Sequence, residues 1–212
     1  MKNVYFVSGI DTDIGKSYAT GFLARRWMDE GHSVITQKLV QTGNVDVSED
    51  ILLHREMMGI AFTDEDDARI TMPQIFSYPC SPHLAAEIDG RELDFEAIDG
   101  ASKLLSERYD RVLLEGAGGL MVPLTRELLT IDFVAERGYE IILTTSGRLG
   151  SLNHTLLSLE AIERRGIKLH SVIYNLYPKV EDTTILRDSQ QYIKDYLKSR
   201  HPLAEFICLD VY

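Results

Sequence analysis

The residues best suited to chemistry lie near the amino terminus, in the stretch Gly9-Ile-Asp-Thr-Asp-Ile-Gly-Lys-Ser17. The apolar run at residues 4–7 predicts a buried strand before this stretch, and residues 18–28 predict a helix after it. Backbone N–H groups at the start of a helix can close around phosphate oxygens. Lys16 would add a positive charge there, and the Ser17 hydroxyl could reach Mg²⁺. The pattern therefore indicates a phosphate-binding loop.

The match to the general phosphate-loop template is imperfect. That template places its first glycine at position 10, where this chain has Ile10, and Gly9 comes one residue early. An ordinary strand-to-helix turn with an exposed lysine is the alternative. The position of the loop, directly after the first strand and before a helix, favours nucleotide binding.

A second candidate lies at the end of the apolar run 111–114, where Glu115 is followed by Gly-Ala-Gly-Gly. A carboxylate at the carboxyl tip of a buried strand, next to small residues, is where P-loop proteins hold Mg²⁺. A plain glycine turn is the alternative. Lys38 ends another predicted strand, residues 33–39. Ligands bind at the carboxyl edge of open α/β sheets, so Lys38 and the loop should face one crevice.

Three further features are less specific. Residues 49–58 predict a helix with Ser48 as its cap, and Asp50 in its first turn could simply complement the helix dipole. The acidic run 63–68 is interpreted as a solvated surface loop rather than a metal site, with no assigned role. His83, after Pro82, could approach a ligand or serve only the fold.

Strands and helices alternate along the whole chain. The fold class predicted is α/β, with a mostly parallel central sheet and helices on both faces, a three-layer sandwich like that of P-loop NTPases. Residues 1–212 are expected to form one domain. Further helices are predicted at residues 83–89, 95–109, 128–137, a segment after 150 that runs to 165, and 182–199; further strands are predicted at 140–145, 168–174 and 206–209.

Composition limits the classes of partner. The chain has 212 residues, of which 44% are hydrophobic and 26% charged, with a net charge of −11. An acidic protein is poorly suited to bind nucleic acid or an anionic membrane, so neither is expected as a partner. No apolar run is long enough to span a bilayer, and the amino terminus lacks a secretory pattern. Cys80 and Cys208 are interpreted as reduced thiols, which favours a cytoplasmic protein.

Together these motifs resemble the dethiobiotin synthetase family, over most of the chain from Val4 to about Asn175. The loop at 9–17, with its long glycine spacing, is this family's own pattern. The other matching segments are Lys38 with Thr42-Gly43, Ser81-Pro82-His83, Glu115-Gly-Ala-Gly-Gly119, Leu149-Gly-Ser-Leu-Asn-His154 and Asn175.

The resemblance implies a role for each matching residue. Mg²⁺ would be held by Ser17, Asp50 and Glu115. Lys38 and Lys16 would be the catalytic lysines. The nucleotide-binding set would be Asp13, Ile14, Gly15, Lys16, Ser17, Tyr18, Asp50, Glu115, Gly116, Ala117, Gly118 and Asn175, the last of these at the base. The substrate-binding set would be Thr12, Lys38, Thr42, Gly150, Ser151 and Asn153.

The implied activity is ATP-dependent closure of a ureido ring on 7,8-diaminononanoate with CO₂, as in biotin synthesis. The resemblance also implies a homodimer, in which the helix start at Gly150 to Asn153 comes from the partner subunit. Ser17 stands where threonine is commoner, which keeps the hydroxyl. The carboxyl-terminal segment 201–212 is shorter than the family's adenine-contacting loop. Other nucleoside triphosphates are therefore expected to react within about tenfold of ATP.

Two other classes of function are considered. Switch ATPases of the partitioning type share the expected fold, but their signature lysine would fall at position 11, which is Asp11 here. A nucleotide-binding module that only recruits partners would need neither Lys38 nor Glu115. An enzyme is therefore the favoured interpretation.

Overall fold

The computed structural model describes residues 2–177 and 183–210. Its main feature is a six-stranded sheet in which every neighbouring pair of strands is parallel. The strands are, in spatial order, β2 (Val34–Lys38), β5 (Arg111–Gly119), β1 (Val4–Gly9), β6 (Glu140–Ser146), β7 (Leu169–Asn175) and β8 (Glu205–Leu209). The parallel sheet predicted from the sequence is confirmed.

Helices cover both faces of this sheet. They are α1 (Lys16–Asp29), α2 (Glu49–Met58), α3 (Asp64–Asp67), α4 (Pro82–Asp89), α5 (Phe95–Arg108), α6 (Thr130–Arg137), α7 (Ser151–Arg164) and α8 (Thr183–Arg200). Helices α1 and α2 contribute to the smaller of the two large apolar clusters. Helices α4 to α8 contribute to the larger cluster. The chain therefore forms the expected three layers.

The central strand β1 shows why the sheet must be covered on both sides. Successive side chains of a strand point to opposite faces. Phe6 lies in the larger apolar cluster and Val7 in the smaller one, and both are fully buried. A strand that is buried on both faces has a continuous apolar sequence, and residues 4–7 show this pattern.

Most predicted elements agree with the structure within one or two residues. Strand β5 differs, because it continues through the glycine segment to Gly119, so Glu115 lies within the strand rather than at its tip. Two short parallel strands, β3 (Gln41–Thr42) and β4 (Ile75–Phe76), were not predicted. Residue 182, where the last predicted helix begins, lies outside the described residues.

The prediction for residues 63–68 is wrong in one important respect. The run is not a loop, because it forms α3, with Thr63 and Asp66 making a capping box. Asp64, Asp67 and Ala68 are exposed as predicted, but Asp66 is buried. Asp66 is only 1% exposed, and its Oδ1 and Oδ2 accept hydrogen bonds of 2.8 and 2.7 Å from Arg55. A buried carboxylate needs such a partner, and Arg55 on α2 supplies it.

No helix in the described residues is long and apolar enough to cross a membrane.

Candidate active site

The phosphate-binding loop connects β1 to the start of α1. Gly15, the residue before the helix, has a φ of 92°, in the region that favours glycine. A Cβ atom at this position would lie 2.3 Å from Asn175 Nδ2. Lys16 begins α1, and its Nζ donates a hydrogen bond to the Asp11 carbonyl at 3.2 Å. The first N–H groups of α1 have no intrahelical partner, so they can bind phosphate oxygens.

Lys38 and Glu115 lie side by side on neighbouring strands, because they are register partners in the β2–β5 pair. Lys38 Nζ lies 2.7 Å from Glu115 Oε1 and donates to the Gly116 carbonyl at 3.2 Å. Lys38 also forms an ion pair with Asp50. Lys38 is 4% exposed and Glu115 is fully buried. Lys38 and the phosphate-loop residues Lys16 and Ser17 line one cavity, which confirms the prediction that they face the same crevice.

Three oxygen-bearing side chains meet beside the loop. The Ser17 hydroxyl lies 2.6 Å from Asp50 Oδ1 and 3.0 Å from Glu115 Oε1. Two carboxylates and a hydroxyl are the oxygen donors that Mg²⁺ prefers, so these three residues fit this cation. In the described residues no cluster of three or more His, Cys, Asp or Glu side chains could hold a metal. A cation at this point would therefore need oxygens from phosphate and water, as is usual for Mg²⁺ at nucleotide sites.

The charged side chains of Glu115, Lys38 and Lys16 have shifted pKa values. Burial alone would raise the pKa of Glu115, but the Lys38 charge, with hydrogen bonds from His54 and Lys38, holds that pKa well below its ordinary value. Burial alone would lower the pKa of Lys38, but Glu115 and Asp50 outweigh it, and the pKa is raised. Burial, with a contribution from the nearby charge of Lys38, lowers the pKa of Lys16 despite the carboxylates. Glu115 and Lys38 are thus held as an ion pair.

Sequence reasoning missed two residues that contact Glu115. His54 Nε2 lies 2.8 Å from Glu115 Oε2, and the Thr20 hydroxyl lies 2.7 Å from the same oxygen. The spacing offered a signal, because His54 comes four residues after Asp50 on α2 and therefore lies on the same face. Thr20 likewise comes four residues after Lys16 on α1.

A cavity of about 750 Å³ opens above these groups. Most of the predicted site residues line it, namely Thr12, Asp13, Gly15, Lys16, Ser17, Tyr18, Lys38, Thr42, Asp50, Glu115, Ala117 and Gly118. The other lining residues are Gln41, Leu53, Pro79, Cys80, Ser81, Pro82 and Val122. Gly116 is not in the lining, although its carbonyl accepts from Lys38. His83 is not in the lining either.

A smaller cavity of about 320 Å³ adjoins the other side of the phosphate loop. Its lining is Asp13, Gly15, Tyr18, Asn175, Tyr177, Leu209 and Asp210. Asn175 Nδ2 donates to the Ile14 carbonyl at 2.9 Å, and Asn175 Oδ1 accepts from the Tyr177 N–H at 3.0 Å. Asn175 thus ties the phosphate loop to the end of β7, at the place predicted for the nucleotide base.

The remaining predicted residues lie at the start of α7, outside both cavities. Gly150 caps that helix with a φ of 94°, Ser151 is buried, and Asn153 is exposed. The preceding loop contacts the phosphate loop, because Arg148 donates a 2.8 Å hydrogen bond to Asp11 Oδ2. In the described part of one chain, therefore, these residues lie near the site without lining it.

The fold and the site together define a P-loop nucleotide-binding protein, and comparisons with known proteins narrow the class. A family model described as an AAA domain matches residues 3–204. The solved structure of pNOB8 ParA bound to nonspecific DNA is similar, with a TM-score of 0.57 and 14% identity over 100% of this chain and 86% of that one. At that identity the likeness shows the fold alone.

Closer relatives are found among curated proteins. ATP-dependent dethiobiotin synthetase BioD 2 of Pasteurella multocida is 48% identical over 100% of this chain and 99% of its own length. The protein of the same name from Haemophilus ducreyi is 50% identical over 99% of each chain. The chain therefore belongs to the dethiobiotin synthetase family.

Proposed function

We propose that this protein catalyses ATP-dependent formation of dethiobiotin from 7,8-diaminononanoate and CO₂, releasing ADP and phosphate. Membership of the dethiobiotin synthetase family supports the reaction. The observation that carries the proposal for the site is the buried Lys38 ammonium, held between Glu115 and Asp50 beside the phosphate loop. A switch ATPase needs no second lysine at this position.

Binding of the nucleotide is assigned to the loop and the residues around it. Backbone N–H groups at the start of α1 and the Lys16 ammonium would hold the β- and γ-phosphates. Ser17, Asp50 and Glu115 would hold Mg²⁺, whose charge would relieve repulsion between phosphate oxygens when bound. Tyr18, Asn175 and the smaller cavity would receive the nucleoside.

The reaction brings two anions together. One amine of the substrate adds to CO₂ and loses a proton, which gives a carbamate. A carbamate oxygen then attacks the γ-phosphorus, the bond to ADP breaks, and a carbamic–phosphoric anhydride forms. Lys38 and Lys16 would stabilise the charge that develops on the transferred phosphoryl group.

Ring closure would need no nucleophile from the protein, because the second amine of the substrate is held close to the anhydride carbon. The second amine attacks the anhydride carbon, phosphate leaves, and the amine loses its proton. Two groups held on one substrate react with high effective molarity, so the anhydride closes before water attacks it. Thr12 and Thr42, which line the larger cavity, would orient the diamine.

We also propose that the protein works as a homodimer. The start of α7, at Gly150, Ser151 and Asn153, is a helix N-terminus suited to the substrate carboxylate, although the Ser151 N–H already donates to the Arg148 carbonyl at 2.9 Å. Because these residues do not line the cavity of their own chain, they would serve the site of a partner. Mixing Lys38→Met with Asn153→Arg should restore part of the activity that each variant lacks alone. Failure of every mixture to recover activity would exclude a shared site.

The expected setting is the cytoplasm, with no nucleic acid or membrane as partner. The net charge of −11 and the two free thiols, Cys80 and Cys208, support this proposal.

The direct test mixes the protein with diaminononanoate, bicarbonate and Mg·ATP and follows ADP release. ADP release that depends on the diamine, with dethiobiotin detected by mass spectrometry, is the expected result. Hydrolysis of ATP at the same rate without the diamine would favour a switch ATPase. The Lys38→Met variant is the matched control. It should bind nucleotide but form no dethiobiotin.

A further inference from the structure

A chain of buried polar side chains lies behind Glu115, on the side away from the cavity. We call His54, Thr36, Arg55 and Asp66 the buried hydrogen-bond chain. All four are at most 3% exposed. Buried polar groups destabilise a fold unless each finds a partner, so a chain of this kind is held together by complete hydrogen bonding.

The contacts determine which nitrogen of His54 carries the proton. The Thr36 hydroxyl oxygen accepts from Arg55 Nη1 at 2.8 Å and lies 3.1 Å from His54 Nδ1. If Nδ1 accepts the Thr36 proton, every hydrogen in the chain has an acceptor. Protonation of Nδ1 would instead aim two donors at one hydroxyl and leave its hydrogen unpaired. The hydrogen-bond pattern therefore places the His54 proton on Nε2, pointing at Glu115.

Asp66 fixes the other end of the chain. Its carboxylate accepts two hydrogen bonds from Arg55 and a 2.6 Å hydrogen bond from the Thr71 hydroxyl. The Thr71 carbonyl in turn accepts from the Lys38 backbone N–H at 2.7 Å. The Arg55 guanidinium is thereby held in one orientation, with Nη1 directed at Thr36.

The two oxygens of Glu115 consequently have different surroundings. Oε2 lies against two donors, His54 Nε2–H and the Thr20 hydroxyl, and both donors are buried. Oε1 lies against Ser17 and Lys38, which line the larger cavity. One carboxylate oxygen is thus turned to the protein interior and the other to the site.

We propose that His54 is a positioning residue, which occupies Glu115 Oε2 so that Glu115 offers a cation the single oxygen Oε1. Thr36, Arg55 and Asp66 act by fixing the His54 tautomer. The inference rests on the proposed function only in taking Glu115 as a cation ligand.

The arrangement has a consequence for the choice of metal. Mg²⁺ requires near-octahedral geometry, whereas Ca²⁺ accepts bidentate carboxylates and variable ligand numbers. A glutamate limited to one oxygen therefore suits Mg²⁺. Removing the His54 donor leaves Oε2 with the Thr20 hydroxyl alone, so Glu115 is held less firmly, which should weaken binding of Mg²⁺ more than binding of Ca²⁺.

The first experiment measures the tautomer directly. Histidine side-chain ¹H–¹⁵N spectra of the full chain should show His54 as the Nε2–H tautomer, with its signal assigned by its loss in His54→Leu. Thr36→Ser keeps the hydroxyl and should leave the signal unchanged, whereas Thr36→Val should alter it. An Nδ1–H tautomer or an imidazolium in the wild-type protein would overturn the proposal, whether or not the His54 variant folds.

The second experiment compares metal complexes of a non-hydrolysable ATP analogue by calorimetry. His54→Leu should raise the Kd of the Mg²⁺ complex by about tenfold or more, in line with the loss of partners behind a metal ligand. The Kd of the Ca²⁺ complex should rise less. His170→Leu, which changes a half-buried histidine that packs on Tyr5 and Trp27, is the control and should change neither.

The outcomes separate the two proposals. If His54→Leu leaves the Kd values of both metal complexes unchanged, or raises both by the same factor, the positioning role is wrong. The proposed reaction would not be affected by that result. Wild-type protein that binds the Mg²⁺ complex but releases no diamine-dependent ADP would exclude the reaction, and the metal comparison would still decide the role of His54.

Discussion

Lys38 Nζ lies 2.7 Å from Glu115 Oε1, and the two residues are register partners on β2 and β5. Because both side chains are buried, removing one charge leaves the other buried without that partner. The pair therefore links stability to the proposed catalytic role of Lys38. Four predictions concern this pair, the phosphate loop and the cavities beside them.

Lys38→Met should reduce dethiobiotin formation by about 100-fold or more, because an oriented charge at the transferring group is lost. It should also reduce the free energy of unfolding by up to about 3 to 5 kcal/mol, since the buried Glu115 carboxylate loses its cationic partner and keeps only hydrogen bonds. Urea titration measures the second effect. The double variant Lys38→Met, Glu115→Gln should recover part of the stability and none of the activity.

A matched control for this prediction is Lys168→Met. Lys168 pairs with Glu140 at 2.6 Å, but its side chain is 62% exposed. An exposed pair contributes at most about 1 kcal/mol, so this variant should remain near wild type in stability. Equal destabilisation by the two substitutions would contradict the buried-pair argument.

Gly15→Ala should abolish nucleotide binding. The new Cβ would meet Asn175 Nδ2, and the φ of 92° is strained for alanine, at a cost of about 1 to 3 kcal/mol. Gly31→Ala is the control, because Gly31 has a φ of 95° but an added Cβ there meets no atom within 4 Å. Both variants should lose stability, and calorimetry with an ATP analogue should detect a binding defect in Gly15→Ala alone.

Stability should fall as the pH is lowered into the acid range. Although burial opposes it, hydrogen bonds from Arg55 and Thr71 lower the pKa of Asp66 below 3.8, and Lys38 with His54 lowers the pKa of Glu115 below 4.5. The unfolded chain takes up these protons first, so the contribution is present above pH 4.5 and is lost as the pH falls through the lowered pKa values. Urea titrations at a series of pH values measure this slope.

Asp66→Asn should make that slope shallower, because one of the two carboxylates no longer titrates. Asp67→Asn, which changes the exposed neighbouring residue on α3, is the control and should leave the slope at its wild-type value. A slope unchanged by Asp66→Asn would rule out the buried Arg55–Asp66 pair as a source of acid sensitivity.

Selectivity for the nucleotide base should be loose. Both ends of the Asn175 amide are already engaged, by the Ile14 carbonyl and the Tyr177 N–H. The exposed rings of Tyr18 and Tyr177 line the smaller cavity and can stack on any base. Initial rates with GTP and CTP should fall within about tenfold of the rate with ATP, a difference of roughly 1.4 kcal/mol. Rates far below that range would refute the expectation.

The sequence predicted most of the sheet and helices because their apolar periodicity is strong. It predicted the position of Glu115 and Lys38 at one edge because parallel strands end together. Strands β3 and β4 were missed because two residues are too few to display a period.

The role of Asp66 could not be predicted from the acidic run itself. Its partner Arg55 lies on a different helix, and charged residues are usually exposed, so composition alone indicates a solvated loop. His54 was missed for a related reason, because its partners Thr36 and Glu115 come from two strands distant in sequence. Only tertiary structure brings such groups together.

The order of strands in the sheet also affects how the protein is made. Strand β1 is translated before both of its neighbours, which are β5 and β6, with Val4 beside Val112 and Tyr5 beside Glu140. Strand β1 therefore remains unpaired until β5, at Arg111–Gly119, has been translated. An apolar strand exposed for that interval is prone to aggregation, so we expect co-translational folding of this enzyme to depend on chaperones that shield β1.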